Sequence, residues 1–313
     1  MPGMSFMPRL ALLLAVAGCT SAPRPAEPLP HLLSQTGLDA HALEFTPQYP
    51  LWTDGATKRR WLKLPPGTAI DASNPDRWEL PAGAKLWKQF DFGGRPVETR
   101  FIERLPDGSW RFAAYVWNEA GTDAELAPAG GLIGVAATSP TTRHDVPGIE
   151  DCRACHEGRP NRVLGLGALQ LAPRLDELAR AGVIEGLPME LRSSPPRIAA
   201  ANDDERAALG YLFGNCAHCH NADGPLASVG LDFDQPVAAA GPAAERTHAV
   251  DAPSRFRFPR GEATARIARG APELSIALLR MRSRDPLTQM PPLGTHLVDP
   301  EGVRLVSRWI SQL

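Results

Sequence analysis

"NCAHCH", residues 215–220, places two cysteines and two histidines within six residues. Three chemistries use such a stretch: a redox disulfide, half of a zinc site, or a point of covalent haem attachment. The choice among them decides which fold the surrounding sequence has to build. A second stretch, "CRACH" at 152–156, repeats the pattern Cys-x-x-Cys-His. At this chain's cysteine and histidine frequencies one such match arises by chance about 0.002 times, so two copies are not accidental.

The spacing has a direct reading. Two thiols three residues apart on one helical turn can form thioethers to the two vinyl groups of a haem, and the next residue presents its imidazole to the iron. This assigns Cys152, Cys155, Cys216 and Cys219 to attachment and His156 and His220 to the metal. Two covalently bound haem c groups are therefore expected, with no separate catalytic residue. A Cys₄ zinc site drawn from both motifs would not need a histidine after each. A thioredoxin-like pair calls for a βαβ unit, and neither motif follows a convincing buried strand.

The sixth position of each iron remains to be filled. Beyond the N-terminal stretch only Met189, Met281 and Met290 are available. Met290 stands in "QMPPLG" (289–294), where two prolines make a stiff loop able to hold a weak thioether against iron. The alternative is a methionine that fills a gap in the core. Its place between the second motif and the C-terminal helix favours ligation of the second haem. For the first haem the sequence leaves Met189, Met281, His144 and His248, or no ligand.

Flanking helices are predicted from local signals. "NDDERAALGYLFGN" (202–215) begins with Asn202 or Asp203 as N-cap and carries acids in its first turn. "VDPEGVRLVSRWISQL" (298–313) begins with Asp299 as N-cap and Pro300 at the first helical position. Its apolar face is Val303, Val306, Trp309 and Ile310. A shorter helix is expected from about Pro173 to Ala181.

Composition bounds the remaining possibilities. The chain has 313 residues, is 43% hydrophobic and 22% charged, and carries a net charge of −2, which offers no electrostatic footprint for nucleic acid. Its 32 prolines predict plentiful irregular loops. Residues 1–18 read as an export signal, with Arg9 before the apolar run Leu10–Ala17, far shorter than the ~20 residues of a membrane span. "AVAGC" (15–19) resembles the lipobox of bacterial lipoproteins, making Cys19 the lipidated N-terminus. An ordinary signal peptide cut near Ala17 is the alternative. Residues 19–40, with "SAPRPAEPLP" at 21–30, read as a Pro-rich tether. Membrane contact is expected through the lipid anchor only.

Residues 41–145 differ in kind. They hold Trp52, Trp61, Trp78, Trp87, Trp110 and Trp117, six of the seven tryptophans. Runs such as "KLWKQFDF", "VETRFIERL" and "SWRFAAYVWN" alternate with turn signals, and Leu105-Pro106-Asp107-Gly108 marks a hairpin. A small antiparallel β-domain is expected, with its tryptophans in the core in preference to a ligand platform. Residues 146–313 complete the chain as the second domain.

The order helix, Cys-x-x-Cys-His, Met loop, helix resembles class I c-type cytochromes. Together "YPLWTDGATKRRWLKLPPG", "VETRFIER" with "YVWNEA", "NCAHCHNADG" and "RMRSRDPLTQMPPLGTHLVDPEGV" resemble a family of bacterial di-haem c-type cytochromes over most of residues 45–313. The resemblance implies an α+β chain, a small antiparallel β-domain followed by a mainly helical cytochrome c-like half. It implies that Gly210 or Tyr211 meets Trp309 where the first and last helices cross, and that Gly224-Pro225 supplies a carbonyl to the proximal imidazole. It also makes Met281 the first choice as sixth ligand of the first haem. The expected activity is one-electron transfer to a redox partner protein, on the periplasmic side of a bacterial membrane, the outer membrane by preference. Two alternatives stand beside it: a di-haem peroxidase or oxidase with an open first haem, and a docking or sensory module.

Overall fold

The computed structural model describes residues 27–159, 161–237, 248–258 and 261–313. The export signal and Cys19 lie outside the described residues. Among those described, no helix is long and apolar enough to cross a membrane.

Six strands form one antiparallel sheet in the order β1 (Leu43–Glu44), β2 (Thr57–Lys63), β4 (Lys85–Phe92), β5 (Arg95–Arg104), β6 (Trp110–Trp117) and β7 (Ala124–Leu126). The β5–β6 turn closes as the sequence predicts, with Gly108 N–H donating to the Leu105 carbonyl at 3.0 Å. Gly108 has φ +85°, a conformation that side chains with a Cβ resist.

Alternation along the strands gives the sheet two unlike faces. On one, Trp87, Phe101, Ala113 and Tyr115 pack with Leu33 and Ala124 into a buried cluster. On the other, Ile102 and Phe112 pack against Cys152 of α1 (Ile149–His156). Further along that second face, Leu62 and Leu86 join Phe45, Ile70 and Trp78 in a core shared with Leu166, Leu171, Leu175, Leu178 and Ile184. This core straddles the boundary expected at 145/146. It is fastened by β3 (Ile70–Asp71) pairing in parallel with the two-residue strand Ile184–Glu185.

A third core lies between α4 (Asp203–Asn215), α5 (Ile276–Arg282) and α6 (Pro300–Ser311). Leu209 and Leu212 meet Leu278, Met281, Val306, Trp309 and Ile310 there. Both long helices start where the sequence places them. The Asn202 side chain accepts from Glu205 N–H at 2.8 Å, and Asp299 accepts from Glu301 and Gly302 N–H at 3.1 and 3.0 Å. At the helix crossing Tyr211 takes part as expected, with Gly302 as its small partner, while Gly210 backs onto Tyr49. A Cβ on Gly210 would come within 2.2 Å of the Tyr49 ring, and one on Gly302 within 2.3 Å of the Tyr211 ring.

The fold-class expectation is corrected. The chain is sheet-rich, not a small β-domain followed by a mainly helical cytochrome c-like half. Among the described residues only α4 and α6 exceed eight residues, and the other helices are single turns or pairs of turns, α2 (Leu175–Arg180) and α3 (Met189–Ser193) included. Proline is the physical reason. It removes an N–H and disfavours helical backbone at the preceding residue, and 16 of the 32 prolines lie in residues 146–313, which they divide into short elements.

Candidate functional site

The first Cys-x-x-Cys-His is the end of α1. The helix starts at Gly148, whose N–H donates to the Asp151 carboxylate at 3.0 Å, and Glu150 and Asp151 favour its positive end. Its last turn rests on the sheet, with Cys152 buried against Ile102 and Phe112. The His156 ring lies 5.4 Å from that of Phe112, and its Nδ1 donates to the Arg162 carbonyl at 2.6 Å. Burial pushes His156 down to about 3, with the charges of Lys88 and Arg100 adding to it and the Arg162 bond opposing it. The ring is thus neutral, with its proton on Nδ1 and the Nε2 lone pair free to donate.

The second motif continues directly from α4. Cys216 N–H donates to the Leu212 carbonyl at 2.8 Å, and His220 N–H to the Cys216 carbonyl at 2.9 Å. Cys216 packs on the core that holds Met281 and Trp309. The His220 ring stands edge-on to Phe233 at 6.1 Å, and its Nδ1 is buried without a hydrogen-bond partner. The carbonyl expected from Gly224-Pro225 does not reach it. Burial holds His220 below its usual range and pushes the intervening His218 down to about 4.

The two turns meet. A Cβ on Gly158, two residues past His156, would fall 2.4 Å from the His218 carbonyl. The Asn221 amide ties them by donating to the Gly158 carbonyl at 3.1 Å and the Ala217 carbonyl at 2.8 Å. Cys155 and Cys219 are near enough that each thiolate would oppose the other's charge. Burial pushes Cys152 up to about 11, Cys216 to about 12 and Cys219 to about 11, and raises Cys155 against the pull of Arg100.

The remaining expected ligands are scattered. Met290 is half-buried on its loop, its N–H donating to the Arg280 carbonyl at 3.0 Å. The following segment is pinned to the β-region by Asp54, which accepts from His296 and Leu297 N–H. Met281 shares its apolar cluster with Cys216, whereas Cys152 belongs to the cluster on the sheet. Met189 is 64% exposed, His144 is bound to Glu98 at 2.8 Å, and His248 is exposed.

The cofactor expectation, two covalently bound haem c groups, is corrected along with the fold. The chain is sheet-rich, its four motif cysteines are unpaired, and among the described residues no three His, Cys, Asp or Glu side chains gather to hold a metal. The packing agrees. The two turns close on each other, and the cavity lined by Arg159, Asn161, Phe213, His218 and Gln235 measures about 60 Å³. That is room for a water or two.

One group of residues escaped the sequence reading: Lys58, Arg60, Lys88, Glu98 and Arg100, on the sheet face that α1 covers. Its signal is faint, a polar residue at every second position of strands otherwise apolar on that face. The chain matches no family model, no curated protein and no solved structure.

Proposed function

We propose that the chain is an exported, lipid-anchored electron-transfer protein whose redox centre is held by the two Cys-x-x-Cys-His turns. The observation that carries this reading is the contact of the turns through Gly158 and the His218 carbonyl, which sets the two motifs, distant in sequence, side by side. A centre held there would take up one electron and pass it to a partner protein.

The protonation states support electron transfer over thiol–disulfide exchange. Exchange needs a thiolate, and burial keeps these thiols protonated far above neutral pH. Neutral His156 and His220 are in the form that donates an electron pair to a redox centre. Anchoring rests on the lipobox-like "AVAGC" and the Pro-rich stretch behind it.

The test is the full-length protein isolated from the membrane of a bacterial host. A reversible one-electron couple is expected in a potentiometric titration, lost in His156→Ala combined with His220→Ala. Absence of any couple overturns the reading. Intact mass identifies the centre: loss of hydrogens in pairs means disulfides and a two-electron protein, which contradicts the proposal. Labelling by a palmitate analogue is expected and should vanish in Cys19→Ala.

A further inference from the structure

The strand register lines up three cations. Arg60 of β2 stands directly opposite Lys88 of β4, and Lys88 directly opposite Arg100 of β5. Two residues along on the same face come Lys58, Phe90 and Glu98, again opposite one another. Like charges directly opposite across strands repel, so a row of three calls for counter-charge.

The protein supplies little. Glu98, wholly buried, pairs with Arg100 through bonds of 2.7 and 3.1 Å and also takes His144 at 2.8 Å, which uses its acceptors. Lys58 donates to the Leu51 carbonyl at 2.8 Å. Asp54 faces Lys58 but is occupied by the His296 and Leu297 amides, and Asp299 caps α6. Arg60 is only 5% exposed, yet among the described residues neither it nor Lys88 has a carboxylate or carbonyl partner. The head groups also converge: Lys88 Nζ and Arg100 Cζ lie 4.9 and 4.3 Å from the centre of the same Phe90 ring. A buried guanidinium without a partner is unfavourable enough that chains avoid it unless something else completes the site.

We infer that this face is a binding site for an oxyanion of at least two negative charges, a phosphate or dicarboxylate group, gripped by Arg60 and Lys88 with Arg100 and Lys58 at its sides. Guanidinium forks match such oxygens in pairs, and an ammonium adds a point charge beside them. The site lies on the face that carries the first Cys-x-x-Cys-His turn, but the inference does not depend on the redox reading. Burial also pushes Lys58 down to about 8 and Lys88 well below its usual range, so a bound anion would restore their protons.

The full-length protein is titrated with inorganic phosphate and with succinate while its unfolding temperature is followed, against sodium chloride at equal ionic strength. A saturable rise with phosphate is expected, and a matching rise with succinate widens the site to carboxylates. Arg60→Met and Lys88→Met should abolish the rise, whereas Arg77→Met, in an exposed pair with Asp223, should keep it. Without anion, both variants should unfold at or above the wild-type temperature, because the row has lost a repelling charge. No rise beyond that of chloride, or an undiminished rise in both variants, overturns the proposal. Lys88→Gln serves if a methionine variant fails to fold.

Discussion

The two Cys-x-x-Cys-His turns share a pattern and differ in almost everything around it. The first is the end of an eight-residue helix laid on a sheet, with Arg100 and Lys88 beside its thiols and imidazole. The second is the continuation of a 13-residue helix whose turn packs on an apolar core of Met281, Leu278 and Trp309. One imidazole is oriented by a carbonyl; the other keeps a buried Nδ1 with no partner. Five residues of motif therefore set the local backbone, while the neighbouring elements set the charge and polarity in which it works.

The largest effect expected from this contrast is at Trp309, 1% exposed in the core under the second turn. Trp309→Ala should destabilise the protein by about 3–5 kcal/mol in urea unfolding. Amide exchange sharpens the test: α4 and α6 should lose protection while β4, β5 and β6 keep theirs. Equal loss in both would mean that the two surroundings unfold as one unit.

The cations near the first turn predict a pH dependence in the alkaline range, far above the range of acid unfolding. Lys58 has a folded pKa of about 8 against 10.5 unfolded, so between these values the unfolded chain binds more protons and stability rises with pH. The slope approaches about 1.4 kcal/mol per pH unit at most. Above about pH 9 the raised thiols work against it, since unfolded cysteines ionise while folded ones hold their protons. The difference between wild type and Lys58→Met cancels the thiols, and it should shrink as pH rises. A constant difference would mean that Lys58 is not desolvated.

The smallest effect is at the start of the helix that leads to the second turn. Asn202→Ala removes the cap on Glu205 N–H and should cost about 1 kcal/mol, measured by thermal unfolding. Faster amide exchange should stay within the first turn of α4 and leave Cys216–His220 unaffected. Exchange that spreads to the second turn would show that the helix, not the core beneath it, holds that turn in place.

What could be read in the sequence follows the range of the signal. The caps at Asn202 and Asp299, Pro300, and the Leu105–Gly108 turn act through neighbours a few residues away, and each stands where it was expected. The pairing of Ile70 with Ile184 joins residues far apart, and no local pattern announces it. The same holds for the cation row, which exists only once the register of β2, β4 and β5 is fixed. The resemblance to c-type cytochromes implies a mainly helical second half, and the prolines between its two well-capped helices decide otherwise. For the site, the two motifs could be read at once, but not their contact, nor that Gly210 would back onto Tyr49 in place of Trp309.

The closeness of Gly158 to the His218 carbonyl has a consequence in time. An unfolded chain presents its thiols openly, and during synthesis the first pair emerges well before the second. Once α1 settles on Ile102 and Phe112, Cys152 is only 8% exposed, and Gly158 closes against the other turn without room for one more carbon atom. A thiol reagent must therefore reach Cys152 before this closure, whereas Cys155, Cys216 and Cys219 stay partly exposed after it. The contact between the turns is therefore late in folding, formed only once both halves of the chain are in place.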